Sequence, residues 1–97
     1  MIEIECIDEV IRISYVIKGT KKYHREDGPA MIWKDGSTAW CLNNLIHRDD
    51  GPALEYDNGH KGWFFHGERF ETKEEWFQVL TEEQKVKALY NEHFIGD

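Results

Sequence analysis

The chain lacks the features that mark a membrane or secreted protein. No apolar stretch approaches the length of about 18 residues that a membrane span needs. Met1 is followed by the alternating residues 2–5 (IEIE) rather than by a basic and then an apolar segment. Its two cysteines, Cys6 and Cys41, form no CxxC pair and have no metal-ligand spacing. These absences predict a cytoplasmic protein with reduced thiols and no membrane association.

Motifs that carry catalytic chemistry are also missing. The sequence has no G-x-S-x-G, P-loop or G-x-G-x-x-G segment, and its five histidines show no H-x₃-H or H-E-x-x-H spacing. A thiolate paired with a histidine can act as a nucleophile. Cys41, however, stands between Trp40 and Leu42 in a predicted strand, where its side chain would fill space. We therefore expect no enzymatic activity, no cofactor and no metal site.

Acidic residues outnumber basic ones, 19 to 12, in a chain of 97 residues, and the net charge is −7. Residues 1–23 carry four acids and four bases, whereas residues 71–97 carry seven acids and three bases. This balance argues against direct nucleic-acid binding, because neutralising phosphates requires clustered Lys and Arg. It suits a protein partner with a basic surface, and it equally serves solubility alone.

A 23-residue repeat organises the middle of the chain. Residues 24–44 read HREDGPAMIWKDGSTAWCLNN, residues 47–67 read HRDDGPALEYDNGHKGWFFHG, and the two align without a gap. Each segment contains HRxDGPA, a D/N-G pair and a tryptophan. Subtracting 23 from Trp40 gives Ile17, which predicts a partial upstream copy in the same register.

Each copy predicts a β-hairpin. Asp35-Gly36 and Asn58-Gly59 are typical of type I′ turns, in which both central residues have positive φ. Short strands rich in aromatic and aliphatic residues flank each turn, and the Asp-Gly-Pro segment interrupts the ladder because proline lacks an N–H. Asn43-Asn44 and His66-Gly67 are second turn signals. With the alternating residues 2–6 and 11–17, the pattern predicts an antiparallel meander of six or seven strands.

After Phe70 the apolar period changes to that of a helix. Thr72 and Thr81 begin capping-box sequences, which predict helices over about 73–80 and 82–94. A repeat sheet needs a cap over its last hydrophobic edge. We expect the helices to provide it with the apolar side chains of Trp76, Phe77, Leu80, Leu89 and Phe94.

The predicted fold class is α+β, an antiparallel β-meander built from 23-residue hairpin repeats and capped by two C-terminal α-helices. Residues 1–97 would form a single domain. Its parts would be N-terminal strands in 1–23, repeats in 24–46 and 47–70, and a helical cap in 72–95.

The string HRxDGPA, followed by a D/N-G turn and W-x-x-(N/H)-(G/N), resembles a repeat of small proteins of tailed bacteriophages. That family is distantly similar to MORN and MORN-like hairpin repeats. The likeness covers roughly residues 19–80, including FHGERFETKEEW, and departs at Asn44, where the family usually has glycine. It implies a sheet fold and a phage or prophage setting, in the cytoplasm of an infected or lysogenic bacterial host. It implies no activity.

Two features provide candidate binding residues. The HRxD loops could grip a phosphate or carboxylate, or could tie adjacent hairpins together; their recurrence in each copy favours the structural role. The aromatic strands could leave an open patch, because the helices can cover only one face of the sheet, or could all belong to the core. The predicted binding residues are Arg25, Glu26, Asp27, Arg48, Asp49, Asp50, Trp40, Trp63 and Phe64.

These observations predict a non-enzymatic protein-interaction module, a phage-type inhibitor of a host protein, for example a defence protein, that acts by steric occlusion. Acids such as Glu26, Asp49, Glu74 and Glu75 would steer a host or phage protein with a basic surface. One alternative is a small-ligand or nucleotide-binding protein that sequesters its ligand with the His-Arg-x-Asp loops. Another is a structural or assembly protein that forms homo-oligomers through sheet edges.

Overall fold

The computed structural model describes residues 3–8 and 11–90, and in them a mostly antiparallel sheet precedes two short helices. The strands are β1 (Ile4–Asp8), β2 (Arg12–Ile17), β3 (Met31–Trp33), β4 (Thr38–Ala39), β5 (Cys41–Leu42), β6 (Leu45–Ile46), β7 (Leu54–Glu55), β8 (Lys61–Phe65) and β9 (Glu68–Phe70). The helices are α1 (Lys73–Gln78) and α2 (Glu82–Leu89). Seven strands form one sheet in the order β1-β2-β3-β4-β7-β8-β9, and β5 and β6 form a two-stranded ribbon. The predicted α+β class is confirmed.

The HRxDGP segments leave the sheet as loops whose two ends are hydrogen-bonded to a single residue earlier in the chain. Tyr15 accepts a hydrogen bond from the His24 N–H (3.0 Å) and donates its own N–H to the Ala30 carbonyl (2.8 Å). The same two bonds, at 3.0 and 2.8 Å, join Trp40 to His47 and Ala53. Each loop therefore projects from the sheet next to an aromatic residue.

The upstream match predicted for Trp40 is wrong by two residues. The backbone bonds place Tyr15, not Ile17, in the position equivalent to Trp40. The offset is 25 rather than 23 because the turn after β2 is longer than the turn at Asn43-Asn44. A constant offset cannot find a match across such an insertion.

The turn types also differ from the prediction. At the Asp35-Gly36 turn only the glycine has positive φ (97°), and the Trp33 carbonyl accepts from the Gly36 N–H at 3.0 Å. This is a type I turn followed by a left-handed glycine, and at Asn58-Gly59 again only Gly59 has positive φ (90°). Positive φ at both central residues occurs instead at Asn43-Asn44 (49° and 69°) and at His66-Gly67 (50° and 85°).

An aspartate side chain explains this choice of turn. The Asp35 carboxylate accepts the Ser37 N–H at 2.8 Å, and this bond lowers the pKa of the Asp35 carboxyl group below 3.8. The Asn58 side chain accepts the His60 N–H in the same way, at 3.0 Å. Both side chains satisfy a backbone donor inside the turn, as is usual for Asx turns.

The two helices begin at the predicted caps and pack on one end of the sheet. The Thr72 hydroxyl accepts from the Glu75 N–H, and at Thr81 both halves of the capping box form with Gln84. The buried core under the helices comprises Trp63, Trp76, Leu80 and Ala88, with Phe65, Phe70 and Phe77 packed against it. No helix in residues 3–8 and 11–90 is long and apolar enough to cross a membrane.

The predicted packing of Leu89 on the sheet is wrong. Leu89 is exposed, and its neighbour Ala88 is fully buried instead. The small side chain of Ala88 lets α2 approach the aromatic core closely, and this orientation turns the next residue outward. Phe94, the other residue predicted to pack there, lies outside the described residues.

Candidate functional site

Arg48 is the more deeply placed arginine of the two HRxD loops, with 7% of its side chain exposed against 27% for Arg25. Its guanidinium lies over Trp40, with Cζ 3.9 Å from the ring centroid. Nε donates to the Asp50 carboxylate at 2.7 Å, and one terminal nitrogen donates to the Pro52 carbonyl at 3.1 Å and lies 3.4 Å from Glu55. These contacts hold the guanidinium against Trp40 and against the loop's own Asp50 and Pro52.

Glycine in the HRxDGPA motif makes room for this arginine. A Cβ on Gly51 would lie 3.0 Å from Arg48 Cζ, and one on Gly28 would lie 2.8 Å from Arg25 Cζ. Neither glycine has positive φ, so the requirement is for space and not for backbone freedom. The HRxDGPA motif thus contains the arginine, the aspartate that accepts its hydrogen bond, and the glycine whose missing side chain leaves space for the guanidinium.

The first loop makes the same contacts in a more open setting. Arg25 Cζ lies 4.1 Å from the Tyr15 ring centroid, and Nε donates to Asp27 at 3.1 Å. A terminal nitrogen donates to the Pro29 carbonyl at 3.3 Å. The Asp27 side chain nevertheless remains 88% exposed, against 28% for its counterpart Asp50.

Helix α2 contacts the second loop through Asp49. Lys87 lies 3.2 Å from one carboxylate oxygen of Asp49, and Gln84 donates to the other at 3.3 Å. Asp49 is therefore occupied by the chain itself. Its counterpart Glu26 has 79% of its side chain exposed and lies 3.7 Å from His24 Nε2.

The open loop borders a groove of about 760 Å³, which we name the edge groove. Its walls come from β1 and β2 and from the loop itself: Ile4, Cys6, Tyr15, His24, Arg25, Glu26 and Asp27. Apolar side chains line it on the β1 side, and carboxylates stand on the loop side. A smaller cavity of about 230 Å³ lies between the two loops and is lined by Arg25 and Glu26 of the first loop as well as by Asp49, Asp50 and Lys87.

The loop histidines support turns. His24 Nδ1 accepts the Asn43 N–H at 2.8 Å, and His47 Nδ1 accepts the His66 N–H at 2.7 Å. Burial lowers the pKa of His47 below 6.5, and the neighbouring His66 lowers it further. In the part of the chain that the structure describes, no three His, Cys, Asp or Glu side chains are grouped as a metal site would require.

The predicted aromatic residues are largely covered. Trp63 is only 7% exposed and lies against Trp76, with ring centroids 4.8 Å apart. Trp40 lies under the Arg48 guanidinium. Phe64 is half-buried and lies on the face of β8 opposite to Trp63. Its ring lies next to the position that a Cβ on Gly62 would occupy. These three therefore contribute to packing.

The edge groove contains four residues that are not among the predicted binding residues: Ile4, Cys6, Tyr15 and His24. The available signal was the alternation of the first strand. All five residues of β1 are exposed, including Ile4 and Ile7 at 40% each. An edge strand with exposed apolar side chains is a common binding site for a partner protein.

Comparison with family models, with curated proteins and with solved structures finds no match for this chain.

Proposed function

We propose that this protein is a non-enzymatic interaction module whose edge groove binds a basic segment of another protein. One observation carries the proposal: the acids of the first HRxD loop are exposed beside the apolar side chains of Ile4 and Cys6, whereas the corresponding Asp49 is paired with the chain's own Lys87. A lysine or arginine of the partner would pair with Glu26 in the same way as Lys87 pairs with Asp49. Apolar parts of the same segment would contact Ile4 and Tyr15.

The setting we propose is a bacteriophage protein acting in the cytoplasm of a bacterial host. There it would inhibit a host protein, for example a defence protein, by covering its surface. The resemblance of the HRxDGPA segments to phage repeats supports this setting, as does the net charge of −7. In the same proposal the two segments are copies of one hairpin unit, which the matching contacts of Arg25 and Arg48 support.

The test is capture of a partner from bacterial lysate by the tagged protein, with a charge-reversal variant at the groove. Glu26→Lys should abolish capture, because it replaces attraction by repulsion at the rim. Glu68→Lys is the matched control, since it makes the same change of charge at an exposed position on β9, the opposite edge of the sheet. The control should capture the same partner as the unaltered protein.

Salt provides a second criterion. Contacts between exposed charges weaken as the ionic strength rises, so capture should decrease between about 50 and 500 mM salt. A partner retained equally by both variants at all salt concentrations would place the interaction elsewhere. Absence of any enriched partner at low salt would overturn the proposal.

An assembly role is a second candidate, and the edge position of β1 favours it. In the described sheet β1 pairs with β2 alone, and the Glu3 carbonyl accepts the Lys18 N–H at 2.9 Å. Alternation of antiparallel bonds then directs the N–H groups of Ile4 and Cys6 away from β2. Cys6→Pro would remove one outward donor, and sedimentation analysis should show fewer oligomers if copies pair through this edge.

Nucleotide binding by the HRxD loops has less support. The Arg25 and Arg48 guanidiniums already bond to aspartates and carbonyls of their own loops. A thermal-shift screen would separate this alternative, because a ligand at 100 times its dissociation constant adds about 2.7 kcal/mol of stability.

A further inference from the structure

A second cavity lies on the other face of the N-terminal strands. It has a volume of about 220 Å³ and is lined by Ile7, Arg12, Ser14, Val16, Thr20, Lys21 and Tyr23. Successive side chains of a strand point to opposite faces, so Ser14 faces away from the edge groove that contains Tyr15. This cavity and the edge groove are therefore separate sites.

Two of the residues that line this cavity each have a buried polar atom without a partner. Ser14 is 3% exposed, and its hydroxyl makes no hydrogen bond within the described residues. The Nε of Arg12 is buried and unpaired in the same way, although its terminal nitrogens contact Met31 and Tyr23. A buried donor without an acceptor is unfavourable, and such groups in folded proteins normally have a partner.

The charge of the cavity lining is positive in a chain that is otherwise acidic. Arg12 and Lys21 are the charged residues among those that line it, and no acid is present in that set. The register places Glu5 opposite Val16, on the same face, and Glu5 is the acid that this strand pairing brings nearest. Its side chain is exposed at the edge strand and does not line the cavity.

The hydroxyl groups of the cavity differ in whether they can donate a hydrogen bond to a ligand. Thr20 Oγ1 donates to the Ile17 carbonyl at 2.7 Å and accepts the Lys22 N–H at 3.0 Å, so its proton is used within the turn. Tyr23 accepts from Arg12 at 3.2 Å and keeps its own proton to donate. Together with Ser14 and Arg12 Nε, the cavity offers several donors and few acceptors.

We propose that this cavity binds a phosphate group. The Ser14 hydroxyl and the Arg12 Nε–H would donate to its oxygens, and Lys21 would balance its charge at the mouth of the cavity. A site that contains hydrogen-bond donors and positive charges but no acid favours an oxyanion, because charge-assisted hydrogen bonds to an oxyanion are strong. Phosphate is preferred to a carboxylate because its several oxygens can accept from donors on different sides.

The test is calorimetric titration of the full chain with inorganic phosphate and, separately, with adenosine 5′-monophosphate. Sodium chloride keeps the ionic strength constant, so that screening does not change during the titration. We expect saturable binding of one phosphate group. Tighter binding of the nucleotide indicates the phosphate of a larger molecule, and equal or tighter binding of inorganic phosphate indicates the free ion.

The variants assign the binding to this cavity. Ser14→Ala and Lys21→Gln should each weaken binding, Ser14→Ala by about tenfold or more, because it removes a hydrogen bond to a charged group. Glu5→Gln should strengthen binding, because it removes the acid on the same face. Glu68→Gln makes the same change of charge at an exposed position on β9, the opposite edge of the sheet, and should leave the affinity unchanged. Circular dichroism verifies that each variant is folded.

Two outcomes would overturn the proposal. One is that neither ligand gives a saturable heat with the unaltered protein. The other is that Ser14→Ala binds as tightly as the unaltered protein while Glu5→Gln and Glu68→Gln strengthen binding equally, which would indicate attraction to the overall charge alone.

Discussion

Trp76 covers Trp63 much as an arginine covers the aromatic residue of each preceding loop. The two indole centroids are 4.8 Å apart with their planes tilted by 50°. Arg48 lies over Trp40 at 3.9 Å, and Arg25 lies over Tyr15 at 4.1 Å. The strand register places all three covered rings on one face of the sheet. The three pairs form a series along the sheet. In the last pair, Trp76 of helix α1 stands in the place of the arginine, so that an indole ring covers the aromatic residue instead of a guanidinium.

Replacing Trp76 by alanine should lower the free energy of unfolding by about 3–5 kcal/mol, because the side chain is fully buried in the core beneath the helices. Urea unfolding followed by circular dichroism measures the loss. Trp76→Phe is the informative comparison: it keeps a ring over Trp63 but loses the indole N–H that donates to the Arg48 carbonyl at 3.0 Å. That variant should lose about 1–3 kcal/mol. An alanine variant within about 1 kcal/mol of the unaltered protein would contradict this packing.

The two motif glycines should respond differently to alanine. Gly51→Ala places a methyl group 3.0 Å from the Arg48 guanidinium, which is buried and held by several bonds, so we expect a loss of about 1–3 kcal/mol. Gly28→Ala places a methyl group closer still, 2.8 Å from the Arg25 guanidinium, but that side chain is 27% exposed and can move outward. That variant should remain within about 1 kcal/mol of the unaltered protein. Equal losses in urea unfolding would mean that space for arginine is not the reason for these glycines.

Much of the secondary structure was predictable because its signals are local. Thr72 and Thr81 each place a hydroxyl where a helix has unpaired N–H groups, and both helices begin there. The Asp35-Gly36 sequence correctly predicts a turn at this position, but the predicted turn type is wrong. The dipeptide alone does not distinguish a type I′ turn from a type I turn with a left-handed glycine, and here the bond from Ser37 N–H to the aspartate favours the second.

The candidate site was predictable only in part. The pairing of Arg25 with Asp27 lies within one loop and follows from residue types at fixed spacing. The edge groove needs Ile4 and Cys6, which are about 20 residues away and are placed by the pairing of β1 with β2. No periodicity in the sequence reports which strand lies at an edge, nor that α2 covers one loop and leaves the other open.

The two cysteines should differ in reactivity toward thiol reagents. Burial raises the pKa of the Cys41 thiol to about 11, whereas Cys6 is exposed on β1. Because the thiolate is the reactive form, a native sample treated with iodoacetamide at pH 8 should be labelled at Cys6 alone. Cys6→Ser should show no labelling until urea is added, and then one equivalent. Rapid native labelling of Cys41 would contradict its placement between Trp40 and Leu42 in the interior.

Protonation of His47 should destabilise the fold as the pH falls below about 6.5. Burial holds the pKa of His47 below that value in the folded protein, with His66 and Lys87 acting in the same direction and Asp49 against it. The unfolded chain therefore binds this proton first, and the free energy of unfolding decreases as the pH falls from 6.5 to the folded pKa. Urea unfolding measured between pH 8 and pH 5 gives the slope.

His47→Asn isolates this contribution from the other histidines. The asparagine oxygen stands where Nδ1 stands and can still accept the His66 N–H, which His47 accepts at 2.7 Å, but it does not titrate. The variant should be less stable at pH 8, since it loses ring contacts with Phe65 and His66. Its stability should nevertheless decrease less steeply with falling pH than that of the unaltered protein. Parallel pH profiles would show that His47 is protonated equally in the folded and unfolded chain, and the turn at His66-Gly67 would then not depend on a neutral imidazole.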